Sequence, residues 1–136
     1  MSDRIMRSRQ IIDEHFAQLL PHLDAISSAL IDPMVRRRLT PQRLFVLVVL
    51  CYSEPDERTK AMICAKAKVM DLPFHLRSLR HRGPVHAVLK ALRRCRLIES
   101  ERSSSLLNLY HPVSEVEEIF HRYSSEDIDT DGSEEA

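Results

Sequence analysis

The chain has 136 residues, enough for one domain with a well-buried core and terminal extensions. Two residues are Gly and none is Trp, a composition that favours a mainly helical protein over a turn-rich β fold. The three cysteines, Cys51, Cys64 and Cys95, are widely spaced, which argues against a disulfide framework and for a reducing compartment.

The apolar segments give no sign of export or of a membrane. Residues 1–10 are polar and charged, so no signal peptide is predicted. The longest apolar run, Leu44 to Cys51, is too short to cross a bilayer. We therefore expect a cytoplasmic protein that does not contact a membrane.

Charge is strongly separated along the chain, although the formal net charge is zero. Residues 33–98 hold 15 Lys or Arg and four acidic residues, a net charge of +11, whereas residues 114–136 carry a net charge of −8. A basic segment favours polyanions, because phosphate contacts release counterions. An acidic protein partner would also suit such a surface, but nucleic acid is favoured.

The first 32 residues predict a helical arm. Apolar residues recur at helical spacing over residues 4–20, and Pro21 stops or kinks that helix before a second short one. The arm either adds packing to the next domain or forms a homodimer, which suits a palindromic DNA site. We expect the homodimer because three apolar residues have no evident partner within the domain: Ile12, Phe16 and Leu19.

A connector and a buried helix follow the arm. The connector contains Arg36, Arg37 and Arg38, which either contact phosphates or are solvated. Thr40 and Pro41 then supply an N-cap and a first-turn proline for a helix to about residue 53. Its apolar run would also suit a buried strand, but the cap signals favour a buried central helix.

The next segment predicts a helix from residue 56 to about residue 70. Acidic residues at its start suit the positive end of a helix dipole. The inward face is expected to carry Met62, Ala65 and Val69. The outward face is expected to carry Lys60, Lys66 and Lys68.

Two more helices are predicted on either side of Gly83. A short helix capped by Asp71 places three leucines on one side, and Gly83 ends it in a left-handed conformation. Pro84 then starts a helix to about residue 96. The spacing i, i+3, i+4, i+7 gives this helix one apolar stripe, leaving a basic face opposite. The leucines are Leu72, Leu76 and Leu79, and the stripe is Val85, Val88, Leu89 and Leu92.

A charged hairpin and a C-terminal helix complete the pattern. A strand at residues 97–99, a polar tip at 100–105 and a second strand at 106–113 follow the amphipathic helix. This order is typical of the end of a winged helix-turn-helix domain. A capping box at Ser114 starts the last helix, with Val116, Ile119, Phe120 and Tyr123 on its apolar face. The acidic tail of residues 125–136 is expected to be disordered.

Two motifs resemble transcription regulators of the multiple-antibiotic-resistance repressor (MarR) type. Residues 40–47 (TPQRLFVL) resemble the helix start that precedes the helix-turn-helix in that family, and residues 88–99 (VLKALRRCRLIE) resemble its step from recognition helix to wing. The resemblance covers about residues 39–113. Cys95-Arg96 stands where the family usually has a Gly, and the span 69–83 is longer than the usual turn.

The fold expected from these patterns is mainly α (α+β). A winged helix-turn-helix domain spans residues 33–124, with an N-terminal helical extension over 1–32 and a C-terminal helix. The resemblance implies that helix 84–96 faces the major groove and that wing 99–106 approaches a backbone or the minor groove. The candidate DNA-binding residues are Arg77, Arg80, Arg82, His86, Lys90, Arg93, Arg94, Arg102, Ser103 and Ser104.

The sequence gives little support for metal binding, cofactor binding or catalysis. No CxxC, HxxxH or HExxH spacing occurs, so we expect no metal and no other cofactor. No Gly-rich phosphate loop, nucleophile elbow or clustered acid pair occurs, so we do not expect an enzyme. Two functions stay open: a dimeric transcriptional regulator that binds double-stranded DNA in a sequence-specific way, and an adaptor or anti-activator that acts through protein contacts.

Overall fold

A computed structural model describes residues 2–32, 34 and 38–135, and the side chains within these ranges from residue 7 to residue 124. The helices are α1 (Ser2–Leu19), α2 (Leu23–Leu30), α3 (Pro41–Cys51), α4 (Lys60–Lys68), α5 (Arg82–Arg94) and α6 (Ser114–Glu135). Strands β1 (Ile98–Arg102) and β2 (Asn108–Pro112) form an antiparallel hairpin. Short 3₁₀ turns lie at Leu20–His22, Pro55–Glu57 and Phe74–Arg80. The mainly helical class with a small sheet is confirmed.

Helix α3 lies at the centre of the core. The Thr40 hydroxyl accepts the Arg43 N–H at 3.2 Å, and Pro41 is the first helical residue, as the cap signals predicted. Every residue from Leu44 to Leu50 is buried, which is why the run lacks a polar face. The segment is a buried helix and not a strand, and it ends at Cys51 instead of residue 53.

The N-terminal arm packs on α3 within the same chain. The Phe16 ring meets the Phe45 ring edge to face, with centroids 5.3 Å apart, and Ile12 and Leu19 are fully buried. Helices α1 and α2 also contact α6. The expectation that Ile12, Phe16 and Leu19 have no partner within the domain is wrong, because α3 supplies one. These residues therefore give no reason for a second copy.

Helix α4 begins later than expected and buries a different face. The Thr59 hydroxyl accepts the Met62 N–H at 3.2 Å and fixes the start at Lys60. Val69, predicted inward, is exposed, and Met62 and Ala65 are half-buried. The buried face is rotated by about one position and carries Ile63, Cys64, Lys66 and Ala67.

Lys66 is buried, and its expected outward position is wrong. Its side chain is 1% exposed, and its ammonium donates to Ser53 Oγ at 2.6 Å. Ser53 in turn donates to the Val49 carbonyl at the end of α3, and Glu57 Oε1 lies 3.7 Å from the Lys66 ammonium. A charged group can be buried where such partners surround it. Lys66 thereby joins α4 to the end of α3 and to the connection between them.

The segment before α5 buries the leucines that were predicted to face inward, but it does not end at Gly83 as predicted. Leu72, Leu76 and Leu79 are buried, as expected, although the chain forms a 3₁₀ turn from Phe74 to Arg80. Gly83 lies in the first turn of α5 and has no positive φ, so it does not end a helix in a left-handed conformation. The break falls at His81, whose backbone is extended.

Helix α5 leads into the hairpin, which is tied to the rest of the fold by Arg58. The register pairs Ile98 with Pro112 and Arg102 with Asn108, so β1 is longer and β2 shorter than predicted. The Tyr110 N–H donates to the Arg58 carbonyl at 2.9 Å. This bond links β2 to the connection between α3 and α4.

Helix α6 begins at Ser114 and buries Val116, Ile119 and Phe120, as its apolar pattern predicted. It extends to Glu135, whereas a disordered tail was expected from residue 125. The side chains of residues 125–136 lie outside the described part, so their lack of packing stays a prediction. Among the helices described, none combines the length and apolarity that a membrane crossing requires.

Two adjacent isoleucines test whether the arm belongs to the core. Ile12→Ala should lower the free energy of unfolding by about 2–5 kcal/mol, because Ile12 is fully buried. Ile11→Ala is the matched control: Ile11 is 45% exposed, so its loss should be much smaller. Urea unfolding followed by circular dichroism measures both. Equal losses would show that α1 does not pack as described.

Two lysines of α4 test the buried network. Lys66→Ala should destabilise the fold by about 3–5 kcal/mol, since it removes one partner of a buried polar group. Lys68→Ala should have little effect, because Lys68 is exposed. The same unfolding experiment compares them. A neutral Lys66→Ala would contradict the described burial.

Candidate nucleic-acid interface

The outer face of α5 is basic and opposes a buried stripe. Val85, Val88, Leu89 and Leu92 are buried, as the spacing predicted. At about 100° per residue, the positions farthest from that stripe are 83, 87, 90 and 94. They are occupied by Gly83, Ala87, Lys90 and Arg94, and all four are exposed. The outermost face thus combines two small residues with two cations.

The remaining predicted residues of α5 lie on the flank that faces the hairpin. Arg82, His86 and Arg93 are exposed. Arg93 lines a depression with β1, and Arg82 and His86 line a groove with residues at the hairpin tip. Helix α5 and the hairpin therefore share one surface.

Lys60 and His86 connect the starts of the two helices. Lys60 Nζ lies 2.9 Å from His86 Nδ1. An ammonium group only donates, so His86 Nδ1 is the acceptor in this contact. The first turn of α4 is thereby held against α5. Lys60 joins the basic surface, although it was predicted only as an outward residue of this helix and not as a DNA-binding residue.

Two of the predicted arginines are engaged by the protein itself. Arg80 donates from Nε to the Ala67 carbonyl at 3.2 Å and from Nη2 to the Met70 carbonyl at 2.8 Å. These carbonyls lie at the end of α4, where backbone acceptors lack helical partners. Arg77 Nε donates to the Leu72 carbonyl at 3.1 Å. Arg80 is therefore a structural residue, which its sequence context did not reveal.

The hairpin tip, which comprises residues 103–107 between β1 and β2, is held by Ser103. Its hydroxyl accepts the Leu107 N–H at 3.2 Å and lies 3.0 Å from Ser105 Oγ, while its own N–H donates to the Leu107 carbonyl at 2.8 Å. Ser103 thus shapes the turn, whereas Arg102 and Ser104 are exposed. Of the three predicted hairpin residues, Arg102 and Ser104 therefore present their side chains to solvent.

Two exposed leucines lie at this tip. Leu106 is 71% exposed and Leu107 is 55% exposed, although both were assigned to the second strand. Leu106 has a φ of 64°, a left-handed conformation that bulky residues rarely adopt. The Leu106 N–H donates to the Ser103 carbonyl at 2.9 Å and helps to fix this conformation.

A left-handed arginine turns the chain from α5 into β1. Arg96 has a φ of 60°, and its N–H donates to the Arg93 carbonyl at 3.0 Å. The Leu97 N–H donates to the Leu92 carbonyl at 3.0 Å, which completes a Schellman motif. Gly is the usual residue at this position, so the structure explains why Gly would be expected where Arg96 stands.

Metal binding and thiol reactivity are the other kinds of chemistry to consider for the described residues. No group of three or more His, Cys, Asp or Glu side chains within them is placed to hold a metal ion. Burial raises the pKa of the Cys51 and Cys64 thiols, which disfavours their reactive thiolate forms. Arg36 and Arg37 of the basic connector lie outside the described residues.

In comparisons with known proteins, no family model, no curated protein and no solved structure matches this chain.

Replacing Arg96 tests the cost of its left-handed backbone. Arg96→Gly should raise the free energy of unfolding by roughly 1 kcal/mol, because Gly adopts a positive φ without steric cost. Arg94→Gly is the control, since Gly within a helix should destabilise by about 0.5–1 kcal/mol. Thermal unfolding measures both changes. A destabilised Arg96→Gly variant would show that the arginine side chain, and not the backbone, governs this turn.

Proposed function

We propose that the protein is a sequence-specific double-stranded DNA-binding protein of the winged helix-turn-helix type, acting as a transcriptional regulator. Helices α4 and α5 form the helix-turn-helix, α5 is the recognition helix, and the β1–β2 hairpin is the wing. The carrying observation is that α5, which contacts the hairpin, buries one stripe and exposes Lys90 and Arg94 directly opposite it.

The dimensions of α5 suit a major groove. Its 13 residues make a helix about 20 Å long and, with its side chains, about 10–12 Å in diameter, which fits a groove about 12 Å wide. Gly83 and Ala87 leave the N-terminal half of the outer face without bulky side chains, so this half can approach base edges closely. Lys90 and Arg94 supply the longer donors toward the other end.

The electrostatics also favour DNA. Residues 33–98 carry a net charge of +11, and the exposed cations of α5 belong to this segment. A surface of this sign attracts phosphates and speeds the encounter with a polyanion. The exposed Arg102 of the hairpin extends the same charge toward a neighbouring groove or backbone.

A homodimer is part of the proposal. Two copies would place their α5 helices one turn of DNA apart, about 34 Å, on a palindromic site. The surface that joins them lies outside Ile12, Phe16 and Leu19, because the core of each chain already uses these residues.

A second candidate function is that of an adaptor or anti-activator that binds another protein. It is favoured by Phe74, whose side chain is 85% exposed at the start of the 3₁₀ turn before α5. Exposed aromatic residues are common anchors in protein interfaces. DNA binding by α5 gives no role to this ring.

Arg94→Ala tests the DNA proposal directly. The variant should keep its fold and bind duplex DNA more weakly, because Arg94 is exposed and opposite the apolar stripe. Loss of a phosphate contact lowers the slope of log affinity against log salt concentration (the salt slope) by about one unit. Loss of a bidentate guanine contact instead costs about 1–3 kcal/mol of binding free energy and relaxes the preference at one base. Fluorescence anisotropy across a salt series, on a duplex selected from random sequence, distinguishes the two.

Arg80→Ala is the matched control. It should lower the free energy of unfolding, since Arg80 bonds the end of α4, and any loss of binding should follow that loss of stability. Folded Arg94→Ala, Lys90→Ala and Arg93→Ala variants that bind like the parent would contradict recognition by α5. The adaptor function would then be the better proposal.

A further inference from the structure

An open groove of about 500 Å³ separates the hairpin tip from the first turns of α4 and α5. Its two walls differ in character. Leu106, Leu107 and Asn108 line the hairpin side. The helical side carries the cations Lys60 and Arg82 together with His86, and Thr59, Ala61 and Gly83 complete the lining.

The apolar wall is open to solvent. Leu106 and Leu107 are exposed, yet their backbone is fixed by the hydrogen bonds of Ser103. A turn whose backbone is already ordered loses little backbone freedom when a partner covers its side chains. The tip is therefore suited to contact an apolar surface inside the groove.

We propose that this groove holds the sugar–phosphate backbone of one DNA strand. The deoxyribose rings would pack on Leu106 and Leu107, and the phosphates would contact Lys60 and Arg82. The inference rests on the proposed function. If α5 lies in the major groove and the hairpin in the adjacent minor groove, the backbone that separates these grooves must pass between them.

Charge complementarity selects this occupant. No acidic side chain is among the residues that line the groove, and a polyanion with apolar sugar rings matches both walls. An apolar peptide would cover the leucines but leave Lys60 and Arg82 facing it without anionic partners. The contact between Lys60 Nζ and His86 Nδ1 holds the ammonium beside the groove before DNA arrives.

Leu106→Asn is the critical variant. Asn tolerates a positive φ better than Leu, so the variant should be at least as stable as the parent. Its affinity for duplex DNA should fall about tenfold at every salt concentration with an unchanged salt slope, because the lost contact is apolar. Lys60→Gln should instead reduce the salt slope by about one. Ile11→Asn, an exposed site on α1, should bind like the parent.

Three outcomes would overturn the inference. Unchanged affinity of the folded Leu106→Asn and Leu107→Asn variants would remove the leucines from the interface while leaving DNA binding by α5 intact. If the parent is a dimer and Leu106→Asn is a monomer by analytical ultracentrifugation, the groove would be part of the dimer interface and not a DNA site. Absence of duplex binding by the parent at low salt would refute the proposed function itself.

Discussion

The arrangement of this protein depends on the buried ammonium of Lys66. Its hydrogen bond to Ser53 and its approach to Glu57 connect α4 to the chain that leaves α3. The same connection contains Arg58, whose carbonyl pairs with β2 and whose side chain lies 3.2 Å from His111 Nδ1. Because α4 also packs on α5, this network sets the spacing between α5 and the hairpin, the two parts of the proposed DNA-binding surface.

The sequence predicted those elements whose residues carry their own signals. Thr40 and Pro41 marked α3, and the stripe of α5 followed from spacing alone, since a cap or a period is a local property. The face of α4 was wrong because Lys66 is buried through partners that lie elsewhere in the chain. The exposure of Leu106 was missed because Ser103 accepts hydrogen bonds from the Leu106 and Leu107 N–H groups and forms a turn there, so that β2 begins only at Asn108.

For the candidate site, too, spacing along the chain predicted which side chains are exposed, whereas contacts between distant segments could not be predicted. Sequence placed Lys90, Arg93 and Arg94 on the exposed face of α5, because a helical period fixes direction once the buried side is known. It gave no means to separate Arg80 from these cations, since that role requires the end of α4 to lie nearby. Composition therefore identified a basic surface, and tertiary contacts decided which cations remain available on it.

The attachment of β2 through Arg58 also has a dynamic consequence. One edge of β2 pairs with β1, and the other edge meets the Arg58 carbonyl through Tyr110. Beyond this attachment the tip of the hairpin is exposed, whereas α3 is buried from Leu44 to Leu50. Local opening costs least where few apolar side chains are buried, so we expect amide hydrogens at the hairpin tip to exchange with solvent before those of α3.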